Sequence, residues 1–218
     1  MFDAYIFDFD LTLADTAAGI IICCNHALVQ MGHLPALPED IFVCIGKTVE
    51  ETYYILTKNN NQTDAVDFHE RWREKANEIG NSGTTLFSDT IDVLTQIKAA
   101  DKKIAIVSNK TSRRIESVLR DFGIDEKIDL ILGAELHNFP KPHPCGLLTA
   151  IEKLGTEAEK TLYIGDSLID METANNAEVA FAAVTTGPVD MGDFRTAGAE
   201  NVFVNLTAVA DLFLHSRC

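Results

Sequence analysis

The chain has no excess of positive charge, no long hydrophobic run and no internal repeat. Its 218 residues include 18 Lys and Arg against 33 Asp and Glu, which gives a formal net charge of −15. Nucleic acids and anionic membranes both select basic patches, so we expect neither as a partner. No apolar segment approaches the roughly 20 residues that span a bilayer. We therefore expect no membrane association.

Cysteine usage and the N-terminus point to the compartment. The number of cysteines is odd, and no C-x-x-C pair occurs among Cys23, Cys24, Cys44, Cys145 and Cys218. This favours reduced, buried thiols over a disulfide framework or a zinc site. The chain begins with a short apolar run that ends in acidic residues, and no basic leader of a secretory signal is visible. These features predict a cytoplasmic protein, and they leave monomer and homodimer both open.

Most of the chain alternates apolar runs with amphipathic segments. The runs lie at 5–7, 104–107, 130–132, 161–164, 179–184 and 202–204, and the helix-like segments at 112–122, 144–154, 168–177 and 206–214. Such alternation predicts a parallel sheet with helices on both faces. Continuous apolar strands are typical of that burial. The fold class is therefore α/β.

One region interrupts the alternation. Between residues 16 and 81 the sequence shows no convincing strand and predicts helices at about 17–31, 38–44, 48–57 and 63–78. A helical insert therefore follows the first strand. The sequence Gly-Asn-Ser-Gly at 80–83 marks its exit and suggests a hinge.

Reactive side chains follow four of the predicted strands. In open α/β sheets, ligands bind at the carboxyl ends of the strands. Two carboxylates there can share a hard cation, and one can attack an electrophile. Each residue alone is better explained as a turn, a cap or a solvated loop residue, but all of them together at one sheet edge predict an active site. They are Asp8, Asp10, Thr12, Ser108, Asn109, Lys141, Asp166 and Asp170.

The motifs around these residues resemble those of the haloacid dehalogenase (HAD) superfamily of hydrolases. The matching stretches are DFDLTLADT at 8–16, VSNK at 107–110, PKPHP at 140–144 and GDSLID at 165–170. The resemblance covers essentially the whole chain and is greatest to the phosphoglycolate-phosphatase-like and β-phosphoglucomutase-like branch. It implies a Rossmann-like three-layer core with a parallel sheet, formed by 1–15 and 82–218, and a small α-helical cap at 16–81.

The resemblance also assigns roles. Asp8 is the expected nucleophile that forms an aspartyl-phosphate, and Asp10 is the expected general acid and base. Ser108 and Asn109 are expected to bind the transferring phosphoryl group. Thr12 is expected to belong to the same phosphate-binding set and to orient the first loop. Lys141 is expected to offset the negative charge of Asp8 and the phosphate.

The same resemblance implies a magnesium site and a specificity loop. Asp8, the backbone carbonyl of Asp10 and Asp166 are the expected Mg²⁺ ligands, with Asp170 as an outer or water-mediated partner. Gly46 and Lys47 lie between two cap helices, where relatives contact substrate. Lys47 has two open interpretations: it binds a carboxylate or second phosphate of the substrate, or it is an exposed loop lysine.

The resulting function is a Mg²⁺-dependent phosphatase acting on a small phosphorylated metabolite, such as phosphoglycolate or a sugar phosphate. An Asp at position 10 favours phosphate esters, since the dehalogenases of the superfamily lack it. A phosphomutase and a pyrophosphatase remain alternatives, and a non-catalytic binding module is a further one. The chain departs from the family pattern at Leu11 and Glu178, where relatives usually have glycine.

Overall fold

A six-stranded parallel sheet forms the centre of the computed structural model, which describes residues 2–136 and 139–214. The sheet order is β5-β4-β1-β6-β7-β8, and all five neighbouring pairs are parallel. The α/β fold expected from the sequence is confirmed. The strands are β1 (Ala4–Phe7), β2 (Ala14–Asp15), β3 (Thr85–Leu86), β4 (Lys103–Val107), β5 (Leu130–Leu132), β6 (Thr161–Gly165), β7 (Ala180–Val184) and β8 (Val202–Phe203).

Helices cover both faces of this sheet. The alternation of side chains along β1 places Tyr5 and Phe7 in one core and Ala4 and Ile6 in the other. Helices α5, α6 and α10 pack on the first face, and α7 and α8 on the second. The helices are α1 (Ala17–Gln30), α2 (Pro38–Phe42), α3 (Val49–Thr57), α4 (Gln62–Ile79), α5 (Thr90–Ala99), α6 (Ser112–Asp121), α7 (Cys145–Leu154), α8 (Leu168–Asn176), α9 (Met191–Thr196) and α10 (Leu206–Phe213).

Helices α1 to α4, here called the helical insert, enclose a separate apolar cluster. Leu28 from α1, Tyr53 from α3 and Phe68 from α4 are all buried in it. The four helices begin and end within two residues of the predicted positions, and the side chains of Thr48 and Asn61 cap α3 and α4. Strands β2 and β3 pair antiparallel and tie the entry of the insert to its exit.

Several short elements were absent from the sequence-based prediction. They are α5, α9, the β2–β3 pair and three single-turn 3₁₀ segments. The four cysteines within the described residues are free thiols, and Cys218 lies outside that part of the chain. None of the described helices combines the length and the apolar character that crossing a membrane requires.

Candidate active site

Three adjacent strands deliver the first set of site residues. The central strand β1 lies between β4 and β6, with Phe7 in register with Ile106 and Ile164. Asp8 follows β1, Ser108 follows β4 and Asp166 follows β6, and all three side chains are about 98% buried. Parallel register therefore brings together residues far apart in sequence at one carboxyl edge.

Lys141 reaches into this edge from the loop between β5 and α7. Its Nζ lies 2.9 Å from Asp8 Oδ1 and 2.5 Å from Asp170 Oδ1, and it donates a hydrogen bond to the Tyr163 hydroxyl at 3.2 Å. Only 3% of Lys141 is exposed. A buried ammonium is stable only with compensating charge, so Lys141 and its two carboxylates act as one electrostatic unit.

Asp170 is fully engaged by neighbouring donors. Its Oδ1 accepts from Lys141 and from the Tyr163 hydroxyl at 2.9 Å, while its Oδ2 accepts from the backbone and hydroxyl of Ser167. Ser167 and Asp170 form the capping box that begins α8. These bonds hold the Asp170 carboxylate in one orientation. Asp170 Oδ1 in turn positions the Lys141 ammonium.

Burial and mutual repulsion dominate the electrostatics of the carboxylates. Burial, followed by the nearby charges of Asp170 and Asp10, raises the pKa of Asp8 to about 6 although Lys141 opposes this. Burial, followed by the nearby charges of Asp170 and Asp8, raises the pKa of Asp166 well above its usual range. For Lys141, burial alone would lower the pKa, but Asp170 and Asp8 outweigh it and raise the pKa well above its ordinary value.

The carboxylates suit a divalent cation. Asp8, Asp166 and Asp170 each offer one oxygen, and these oxygens lie within 4.8 Å of one another. Asp8 Oδ1 is buried and accepts no well-aligned hydrogen bond from any described residue, Lys141 being close but poorly oriented. A buried oxygen without a donor is costly, and a hard cation removes that cost. The described residues therefore fit a metal-binding site.

Thr12 and Gly187 determine where the Asp166 carboxylate lies. The Thr12 hydroxyl, expected to bind phosphate or orient its loop, donates to Asp166 Oδ1 at 2.8 Å. On the other side, a Cβ at Gly187 would lie only 1.9 Å from Asp166 Oδ2. Residue 187 must therefore be glycine if Asp166 is to keep this position, a role that no motif or spacing in the sequence indicates.

Asp10 has a partner that sequence reasoning did not assign. Lys110 Nζ lies 2.8 Å from Asp10 Oδ1, and the two side chains are 12% and 11% exposed. The same ammonium lies 5.8 Å from the centre of the Phe9 ring. Lys110 belongs to the VSNK motif, so the motif contained the signal, but nothing in its spacing indicated which carboxylate it would meet.

Asn109 connects the sheet edge to the helical insert. Its Nδ2 donates to the Gly46 carbonyl at 3.0 Å, and its Oδ1 accepts from the Lys141 backbone at 2.9 Å. Gly46 and Lys47 line a cavity of about 70 Å³ together with Asp10 and Ser108. Thus the two insert residues expected near substrate do face the carboxylate edge.

A parallel sheet with carboxylates, a lysine and a serine buried together at its carboxyl edge is an arrangement suited to an enzyme active site. Residues 5–184 match the family model described as haloacid dehalogenase-like hydrolase. The chain belongs to this family. The predicted resemblance is thereby confirmed on more than half of the chain.

Individual relatives support membership of the same family. A phosphoglycolate phosphatase from Pectobacterium atrosepticum is 30% identical over 186 residues, covering 83% of this chain and 79% of the relative. One from Agrobacterium fabrum is 27% identical over 192 residues, covering 85% and 82%. A crystal structure titled as a haloacid dehalogenase-like hydrolase from Bacteroides fragilis superimposes with a TM-score of 0.93 at 36% identity, covering 96% of this chain and all of that one. The prediction of a phosphatase-type enzyme of this superfamily is confirmed.

Proposed function

We propose that this chain hydrolyses a small phosphorylated metabolite with Mg²⁺ and an aspartyl-phosphate on Asp8, and that residues 16–81 act as a cap over the core of 1–15 and 82–218. The observation that carries this is the position of Asp8. Its carboxylate lies at the end of the central strand, with Ser108, Lys141 and Asp166 brought to the same edge and an oxygen that lacks a well-aligned donor among the described residues.

Asp8 is the nucleophile in this proposal. Lys141, 2.9 Å away, favours the ionised carboxylate and offsets the charge that the phosphate brings. The Ser108 hydroxyl and the backbone amide of Asn109 bind phosphoryl oxygens. The bond from phosphorus to the leaving oxygen breaks as the bond to the Asp8 oxygen forms, and water then attacks phosphorus to release phosphate.

Asp10 moves the protons. It donates a proton to the leaving oxygen in the first step and accepts one from the attacking water in the second. Its carboxylate faces the cavity that Gly46 and Lys47 border, which is where the leaving group would lie. Lys110 holds this carboxylate from one side through the ion pair at Oδ1.

Asp8, Asp166 and the backbone carbonyl of Asp10 would hold Mg²⁺, with Asp170 acting outside these ligands through Lys141. Oxygen donors of this kind match the preference of Mg²⁺. When bound, the ion neutralises charge on the phosphoryl group. Thr12 supports the site by fixing the Asp166 carboxylate.

The substrate is proposed from the relatives and the size of the cavity over the carboxylates. Two of the relatives described above are named as phosphoglycolate phosphatases. The cavity bordered by Lys47 is small, at about 70 Å³, which suits a leaving group of few atoms. Lys47 is then placed to meet a carboxylate on that group. Phosphoglycolate is therefore the first compound to test.

The test measures phosphate release from a panel of phosphorylated metabolites with Mg²⁺, using wild type, Asp8→Asn and Asp10→Asn. The matched control is Asp92→Asn, which removes the same charge from an exposed position of α5. We expect turnover in wild type and control and a loss of at least about 10²-fold in both site variants. Turnover that persists in Asp8→Asn would refute the proposal. Turnover that requires a sugar bisphosphate primer would replace it with a phosphomutase.

A further inference from the structure

A second and larger cleft lies beside the carboxylate edge. It has a volume of about 570 Å³ and runs between α4 of the helical insert and α6 of the core. Clefts of about 300–1,000 Å³ are typical of small-molecule sites. The small cavity above Asp10 has only about 70 Å³, so this cleft offers much more room for ligand atoms.

The cleft is basic although the chain is strongly acidic. Arg73 from α4 and Arg113 and Arg114 from α6 line it, in a chain whose net charge is −15. Within residues 2–136 and 139–214, none of the three guanidinium groups has a carboxylate at ion-pair distance. Guanidinium groups match phosphate and carboxylate geometry, so the cleft has unused capacity for an anion.

The two carboxylates that also line the cleft have other partners. Glu50 Oε1 lies 2.6 Å from His69 Nδ1. Both oxygens of Glu135 accept from the backbone N–H of Ser112 at the start of α6. Neither carboxylate contacts the arginines at ion-pair distance, and the four basic residues that line the cleft outnumber these two carboxylates.

Arg114 is held in a fixed orientation. Its Nη1 donates to the Ala76 carbonyl at 3.0 Å, its Nη2 donates to Asn77 Oδ1 at 2.8 Å, and its guanidinium lies 5.5 Å from the Trp72 ring centre. Burial and then the charge of Arg113 lower the pKa of Arg114. A nearby anion lowers the electrostatic free energy of a half-buried cation that lies beside a second cation.

The cleft adjoins the small cavity at the active site. Asn109 and Lys110 line both the small cavity and the large cleft. Lys110 pairs with Asp10, and Asn109 bonds to Gly46, so these two residues stand between the reacting atoms and the arginines. A ligand bound at the carboxylate edge can therefore extend past them into the cleft.

We propose that this cleft is a second anion-binding site, which holds a distal phosphate or carboxylate of the substrate while its phosphoryl end lies at Asp8. The inference rests on the proposed function and extends its substrate class from phosphoglycolate, which the small cavity suits, to phosphate esters that carry a second anionic group several atoms away. Arg73 from α4 and Arg113 from α6 bind the distal group, and Arg114 adds positive charge from the same cleft.

The test compares matched pairs of esters that differ only in the second anionic group, namely glucose 1,6-bisphosphate with glucose 6-phosphate, and 3-phosphoglycerate with glycerol 3-phosphate. Wild type, Arg73→Gln, Arg113→Gln and Arg120→Gln are assayed for kcat and KM. Arg120 is the matched control, since it lies about two turns further along α6 and outside the cleft. Generic aryl phosphate turnover, absent in Asp8→Asn, serves as the check on the proposed function.

We expect wild type to prefer at least one doubly anionic ester by at least tenfold in kcat/KM, mainly through KM. Arg73→Gln and Arg113→Gln should each reduce that preference by at least fivefold, and Arg120→Gln should keep it. If wild type hydrolyses the aryl phosphate but shows no such preference, the inference fails while the proposed function stands. Aryl phosphate turnover surviving in Asp8→Asn would instead refute the proposed function.

Discussion

Lys110 and Asp10 form a largely buried ion pair, with Nζ 2.8 Å from Oδ1. In the proposed mechanism this contact orients the group that protonates the leaving oxygen. We expect Lys110→Met to reduce kcat/KM for an alkyl phosphate by about 10- to 100-fold, within the range of general acid catalysis. The loss should be smaller for an aryl phosphate, whose leaving group needs little protonation. Steady-state kinetics on the two esters measures the difference.

The control for this substitution is Lys98→Met. Lys98 also forms a lysine–carboxylate pair, with Asp129 at 2.8 Å, but that pair is about one-third exposed and lies outside the site. Exposed pairs contribute little, so activity on both esters should match wild type. An equal loss on alkyl and aryl phosphates in Lys110→Met would contradict a role through Asp10.

The raised pKa of Asp8 makes stability depend on pH. Folding raises this pKa from 3.8 to about 6, so between these values the native state holds a proton that the unfolded state has lost. Stability therefore falls as pH rises through this window, and the full penalty is present above about pH 6. In chelator, we expect Asp8→Asn to be more stable than wild type near pH 7.5 by about 3 kcal/mol, since folding raises the pKa from 3.8 to about 6 and one pKa unit corresponds to about 1.4 kcal/mol.

Urea unfolding from about pH 4 to 8 tests this expectation. The stability difference should shrink as pH falls below about 6 and be small near 4, where Asp8 is protonated in the native state and partly protonated in the unfolded state. Asp92→Asn, exposed on α5, should show no such dependence. A difference that stays constant over the whole pH range would show that Asp8 is not the group responsible.

The strands and the insert helices were predictable because their signals are local. The run before Asp8 is continuously apolar, as a strand buried on both faces must be. The helix α3 begins with the capping box of Thr48 and Glu51, which is readable from spacing alone. By contrast α9 has six residues and buries only Phe194, so its pattern is too short to indicate a helix.

The motifs predicted which residues form the site, but they did not predict which residues of different motifs contact each other. Sequence placed Asp8, Asp166 and Lys141 at one edge, and the parallel register brings them there. The pairing of Lys110 with Asp10 spans 100 positions, and no period or cap encodes it. Tyr163 was indistinguishable from the other apolar residues of β6, although its hydroxyl bonds to Asp170.

Gly187 gives a prediction on metal binding. Because a Cβ there would lie 1.9 Å from Asp166 Oδ2, Gly187→Ala must displace this carboxylate. We expect Mg²⁺ affinity, measured by calorimetric titration, to fall by at least about tenfold, as when supporting contacts of a metal ligand are removed. The rise in Tm that Mg²⁺ gives wild type should shrink accordingly.

The matched substitution is Gly192→Ala in α9. The nearest atom to its new Cβ would be Oδ1 of the exposed Asp190 at 3.2 Å, and no atom of the carboxylate edge lies within 4 Å of it. Its Mg²⁺ affinity should equal that of wild type. Unfolding in chelator confirms that both variants are folded, and an unchanged Mg²⁺ affinity in folded Gly187→Ala would exclude Asp166 from the ligand set.

The two departures from the family pattern share a structural cost. Leu11 and Glu178, where relatives usually have glycine, have φ angles of 59° and 55°. This left-handed region costs roughly 1–2 kcal/mol for a residue with a Cβ. Leu11 is 1% exposed, so glycine there would also lose apolar burial. Glu178 is exposed after the end of α8, so replacing it with glycine would remove little packing while relieving the backbone strain.

Glu178→Gly should therefore raise the free energy of unfolding by about 1 kcal/mol, since glycine adopts this conformation without the Cβ penalty. Urea unfolding of the variant gives the value. Glu178→Ala separates the backbone effect from the loss of the side chain, because alanine keeps the Cβ and should leave stability near that of wild type. Equal gains in both variants would assign the effect to the removed carboxylate instead of the φ angle. A loss in Glu178→Gly would show that the greater freedom of glycine in the unfolded chain outweighs the relief of strain.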